Sequence, residues 1–117
     1  MANLNAIFHS LSDETRRAVV QRLCVGPASV TELAAPHDMA LPTFLKHLRV
    51  LEGSDLIETS KSGRVRTCRL KAETAKMAED WLGGQRRAWE GRLDRLDAFV
   101  AAAANTQPIE NGVDDET

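Results

Sequence analysis

Twelve consecutive residues constrain this chain more than any others: Leu41-Pro-Thr-Phe-Leu-Lys-His-Leu-Arg-Val-Leu-Glu52. Leu41, Phe44, Leu48 and Leu51 recur at intervals of three and four, the spacing of one buried stripe on a helix. Pro42, Lys46 and Arg49 fall on the opposite side, flanked by Thr43 and Leu45. A helix held by an apolar back, with small and cationic residues in front, is shaped to enter a DNA major groove. A two-strand pattern follows. Leu56–Ser60 and Val65–Leu70 are β-branched and roughly alternating, around a Lys61-Ser62-Gly63-Arg64 turn. In the second strand Val65, Thr67 and one of Cys68 or Leu70 compete for the inner face. Helix plus basic hairpin is the outline of a winged helix-turn-helix.

The charge follows that outline. The chain is net −2, yet the tail 105–117 carries four acids and no Lys or Arg, so −2 less −4 leaves +2 on residues 1–104. Between Ala40 and Lys71 seven Lys/Arg face three acids, a local +4. Such a concentration suits phosphate contact, and a solvated basic surface is the alternative. No apolar run approaches the ~20 residues of a membrane span. The first residues lack the basic and apolar regions of a signal peptide, so a cytoplasmic protein with no membrane partner is expected. Cys24 and Cys68 are too few and too scattered for a disulfide framework. They read as small apolar residues, with a redox switch as the alternative.

Upstream, Leu4, Ile7 and Phe8 mark a short amphipathic helix. Ser12 is the expected N-cap of a second helix, with Asp13 and Glu14 suiting its dipole. Ala18, Val19, Leu23 and Val20 supply its core side, and Gly26-Pro27 ends it. Ser29–Ala34 reads as a brief strand-like entry and a third helix capped by Thr31. Downstream, helix returns from about Glu73 to Ala104. Met77, Trp81, Leu82, Ala88, Trp89, Leu93, Leu96, Phe99 and Val100 make an apolar arc wider than one small monomer needs. Packing within the domain is one reading; a dimer interface, which favours large aromatics, is preferred. Gly83 and Gly84 suggest a kink or a close helix crossing. One domain over 1–104 and a disordered acidic tail over 105–117 are expected.

With these pieces in order, residues 7–71 resemble the ArsR/SmtB family of bacterial winged-helix repressors. The matching segments are Phe8-x-x-Leu11-Ser-Asp-x-x-Arg16-Arg17, Ser29–Ala34, Pro42-Thr-Phe-x-Lys-His47-Leu48-Arg-Val-Leu51-Glu, and Leu56-Ile57 with Gly63-Arg64. Trp81–Leu96 is similar to the last helix of one branch of that family. The resemblance implies a mainly α (α+β) winged helix-turn-helix in the order α–α–α–α–β–β–α. It also implies a homodimer through the first and last helices, which would place Leu4, Ile7, Phe8, Trp81, Leu82, Trp89, Leu93, Leu96, Phe99 and Val100 at the interface. Leu41–Glu52 would be the recognition helix of a repressor that binds double-stranded DNA at a promoter palindrome.

Departures are equally informative. Where many relatives carry a thiolate metal motif, this chain has Glu32-Leu-Ala-Ala-Pro-His-Asp38, and no His follows His47. Zinc or arsenite sites need several converging Cys, His or carboxylate ligands, so a member with no metal and no other cofactor is expected. Ala40 stands where a Ser usually caps the recognition helix, weakening its first turn by about 1 kcal/mol. The expected DNA contacts are Pro42, Thr43, Leu45, Lys46, His47 and Arg49 on the helix, and Lys61, Arg64 and Arg66 on the hairpin. Leu45 would touch a thymine methyl, and His47 would pack or meet phosphate. Arg16 and Arg17 are lesser phosphate candidates, and His9 and His37 read as structural. The rival reading is a winged-helix dimer acting as a protein-interaction module without DNA. An enzyme is the poorest reading, since there is no Gly-rich phosphate loop and three scattered His make no triad. The residues specify no inducer.

Overall fold

The computed structural model describes residues 2–106. Five helices and three strands succeed one another: α1 (Leu4–Ser10), α2 (Glu14–Leu23), β1 (Ala28–Ser29), α3 (Val30–Ala34), α4 (Leu41–Gly53), β2 (Ile57–Ser62), β3 (Val65–Leu70) and α5 (Ala72–Thr106). This is the expected winged-helix order, with the strand-like entry to the third helix present as the two-residue strand β1. It completes an antiparallel sheet in the order β1-β3-β2, with Ala28 opposite Cys68 and Ile57 opposite Leu70. The chain divides into two compact units, Met1–Asp80 and Trp81–Thr117. The expected acidic tail, beyond Thr106, lies outside the described residues.

Caps explain where the short helices begin. Asn3 Oδ1 accepts the Ala6 N–H at 2.8 Å to start α1. For α2 the cap is Asp13, which accepts the Arg16 N–H at 3.1 Å, and not Ser12. The Ser12 hydroxyl instead donates to His9 O at 2.6 Å. For α3 the cap is Ser29, and not Thr31. Ser29 Oγ accepts the Glu32 N–H at 3.1 Å, while Glu32 Oε1 accepts the Ser29 N–H at 2.8 Å. That capping box satisfies two orphan donors at once. Thr31, with Ala34 three residues on, has no such reciprocal partner.

The core lies in the first unit and joins every layer of it: Ile7, Val19, Leu23, Leu33, Phe44, Leu48, Leu51, Leu56, Ile57, Cys68 and Ala78. Each large side chain buried this way contributes roughly 1.5–3 kcal/mol. Three sequence expectations are corrected here. Ile7 is fully buried within the chain, so its side chain belongs to this core and cannot serve an interface between subunits. Leu41 shares the phase of the apolar stripe but is the first residue of α4, and it stays 54% exposed. In β3 the inner face is Cys68 and Leu70, because Ala28 closes on Cys68; Val65 is exposed. The α5 helix runs without a break through Gly83 and Gly84.

Among the described residues no helix is long and apolar enough to cross a membrane.

Candidate nucleic-acid interface

α4 begins without a side-chain cap at Ala40, with Pro42 in the first turn, where a missing N–H costs nothing. Phe44, Leu48 and Leu51 anchor its back in the core. Pro42, Lys46 and Arg49 are spaced four and three apart and are all exposed, with exposed Thr43 beside them. These four make a continuous front of small and cationic side chains. Leu45 departs from its expected role: it is half-buried and packs against the core, leaving less of it for a base edge.

The far end of α4 is closed by Asp55, at φ 69°. The Leu56 N–H reaches Leu51 O at 3.1 Å and the Asp55 N–H reaches Glu52 O at 2.9 Å, the pair of bonds that defines a Schellman stop. Asp tolerates the left-handed region better than most residues, and its side chain is also used. Lys71 Nζ donates to Asp55 Oδ1 at 2.9 Å, a bond that raises the lysine's pKa. The Thr59 hydroxyl donates to Glu52 Oε2 at 2.8 Å, fastening α4 to β2. None of these side-chain links was anticipated from the sequence.

The hairpin that follows turns on Gly63, at φ 63°, and Arg64. A positive φ at the first central residue alone is the type II′ pattern, whose twist suits a two-residue hairpin. Lys61, Arg64 and Arg66 are all exposed, and Lys61 lies directly across from Arg66. Beneath the tip, burial raises the pKa of the Cys68 thiol, and the Glu52 carboxylate adds to that more than Arg66 offsets. Cys24, by contrast, is exposed at the end of α2.

His47 is engaged inside the protein. Its Nδ1 lies 3.0 Å from Arg16 Nη1 and 3.6 Å from Asp13 Oδ2. Arg16 is almost fully buried; its Nε donates to Ser10 O at 2.7 Å and its Nη2 to His9 O at 3.2 Å. Burial pushes the Asp13 carboxyl up, but the Arg16 N–H and the adjacent His47 and Arg16 side chains outweigh it and lower its pKa. Arg16 is therefore no phosphate ligand. The signal that could have revealed it is its phase: Arg16, Val19 and Leu23 share one face of α2, whereas exposed Arg17 does not. Arg17 too is occupied, donating to Leu11 O at 2.9 Å.

In the second unit Trp81, Leu82, Trp89, Leu96, Phe99 and Val100 expose about half or more of their surface, and Leu93 is half-buried. The Arg92 guanidinium sits 5.4 Å from the centre of the Trp89 ring. In the first unit Leu4 is half-buried and Phe8 more open. Among the described residues no three His, Cys, Asp or Glu side chains converge in a way that could hold a metal ion.

A model described as a helix-turn-helix domain matches residues 11–60. The crystal structure of an ArsR family transcriptional regulator, RHA00566, is 55% identical, with a TM-score of 0.71 over 74% of this chain and 94% of its own. The HTH-type transcriptional regulator Rv2034 of Mycobacterium tuberculosis is 38% identical over 63 residues, which are 54% of this chain and 59% of that protein's length. A homodimeric winged helix-turn-helix domain, Mb0332 of Mycobacterium bovis, shares the fold at 19% identity, with a TM-score of 0.58 over 74% of this chain and 82% of its own. Identity of this degree over nearly the whole of a solved family member, on a winged helix with an exposed cationic α4, shows that the chain belongs to the ArsR family of transcriptional regulators.

Proposed function

We propose that this protein is a homodimeric, sequence-specific DNA-binding regulator that represses transcription from an inverted-repeat operator in the cytoplasm. The observation that carries the reading is α4, whose back is locked in the core while Pro42, Thr43, Lys46 and Arg49 stand free in front. Lys46 meets phosphate or guanine and Arg49 phosphate at the groove edge, while Thr43 lies in the first turn, where base edges are read. Pro42 sets the geometry of that turn, and Leu45 offers only its outer edge. Lys61, Arg64 and Arg66 follow the adjacent backbone. A second copy covers the exposed apolar side chains of α5, and it also covers Leu4 and Phe8 of α1. Dimerisation then spaces two recognition helices about one helical turn, ~34 Å, apart. Residues 1–104 are the working module. The residues over Glu32–Asp38 offer no thiolate, so neither a metal signal of the usual kind nor a catalytic role is assigned.

The test is a gel shift with sheared genomic DNA at two salt concentrations, with sedimentation of the free protein alongside. Expected are a dimer at micromolar concentration, retention of DNA and a steep loss of binding with salt. A lone subunit that retains no DNA at either salt concentration overturns the reading. Sequencing the retained fragments identifies the operator.

A further inference from the structure

Among the described residues, Arg16 is the one buried guanidinium, and it spans three helices. From α2 it donates to the carbonyl oxygens of His9 and Ser10 at the end of α1, and its third arm reaches His47 on α4. Both carbonyls lie in the last turn of a helix; His9 O also accepts the Ser12 N–H and hydroxyl, while the Arg16 Nε supplies Ser10 O. Arginine carries donors only and stays protonated, so the nitrogen facing Nη1 must be an acceptor. His47 Nδ1 therefore bears a lone pair, and a neutral ring with a bare Nδ1 carries its proton on Nε2. Asp13 Oδ2, 3.6 Å from the same Nδ1, already accepts the Arg16 N–H and adds a negative charge beside the guanidinium. The His47 side chain is only 18% exposed, so the ring has little freedom to turn away.

We propose that Arg16 is a positioning residue for DNA reading: through His47 it fixes the Nε2–H form of the imidazole and the roll of α4 against α1 and α2. The proposal rests on α4 being the DNA-reading helix. Lys46 precedes His47 and Arg49 lies two residues after it, so any rotation of α4 swings both cations out of register with a groove. The guanidinium adds a directional bond, from the side of the helix, to the packing of Phe44, Leu48 and Leu51 that already holds α4. A positioning effect of this kind separates site-specific from non-specific binding. Coulomb attraction tolerates a misaligned helix, and base reading does not.

Two measurements test it. Nitrogen-15 NMR of the imidazoles at about pH 8, with His47 assigned by its loss in His47→Asn, is expected to show a bare Nδ1 and a protonated Nε2. A His47 ring protonated on Nδ1 overturns the proposal, and this arm needs no DNA. The second arm compares binding to a duplex recovered from the genomic selection with binding to a duplex lacking the site. Arg16→Lys keeps the charge but not the three-armed fork. It should weaken binding to the selected duplex by about tenfold or more, the loss of one charge-assisted hydrogen bond, and leave the other duplex unaffected. His47→Asn, whose amide oxygen replaces Nδ1 as acceptor, should retain most of the selective affinity that His47→Leu loses. Equal loss on both duplexes, or Asn as damaging as Leu, overturns the positioning role. Failure of the unmodified protein to select any duplex would refute the DNA-binding reading itself, while the imidazole measurement would still judge the Arg16–His47 bond.

Discussion

Asp55 Oδ1 accepts a 2.9 Å hydrogen bond from Lys71 Nζ while the Asp55 backbone sits at φ 69°, so one residue both ends α4 and ties it to the chain leaving the sheet. Two costs can be separated here. Asp55→Ala loses the ion pair and keeps a Cβ in the left-handed region; Asp55→Gly loses the pair but relieves the backbone. The Gly variant should be the more stable of the two by about 1 kcal/mol. Urea denaturation of both proteins at neutral pH measures the difference. Equal midpoints would mean that the left-handed turn carries no strain.

The lysine end of that pair gives a pH dependence at the alkaline side. The folded-state pKa of Lys71 is raised, so its contribution is complete below the unfolded value and is lost as pH rises through the folded one. The capping box does the opposite. The Ser29 backbone N–H, then its hydroxyl, lower the Glu32 pKa, so that stabilisation is complete above the ordinary carboxylate range and fades as pH falls through the folded value. Thermal melts of the unmodified protein and Glu32→Gln should differ most near neutrality and converge as pH falls below the ordinary carboxylate range. Parallel curves across that range would mean the carboxylate charge contributes nothing.

Leu41 and Phe44 belong to the same stripe but should behave differently. Phe44→Ala opens a cavity in the core and should cost about 3–5 kcal/mol. Leu41→Ala, at a position 54% exposed, should stay within about 0.5 kcal/mol. A large loss for Leu41→Ala would place it under cover that the single chain does not show.

Lys46→Ala and Arg49→Ala should leave the melting transition unchanged and reduce the dependence of log affinity on log salt by about one unit each. Unchanged affinity for selected duplex would remove either residue from the contact set.

Of the two thiols, the exposed Cys24 should react readily with a disulfide reagent in the native protein, while Cys68 should react only after denaturation. Rapid modification of both in native buffer would contradict the burial of the second.

The stripe of α4 and the basic hairpin were legible because their periods, three to four and two, leave few alternatives. The chemistry that sets their angles was not. Arg16 and Arg17 look equivalent in sequence, and only helical phase separates the buried anchor from its exposed neighbour. Ser29 and Thr31 are both plausible caps until the partner three residues on is considered. Ile7 shows the other limit: a short apolar helix reads the same whether its face meets its own chain or a second one. β1 was legible only as a strand-like entry at Ser29; its pairing with β3 depends on Cys68 facing inward.

Lys61 and Arg66 stand opposite one another on adjacent strands, and like charges so placed repel. Nothing in the hairpin's own backbone requires two positive charges there. The tip therefore carries a like-charge repulsion across its two strands that a polyanion laid along it would screen. Screening of that pair by added nucleic acid should slow amide exchange in β2 and β3.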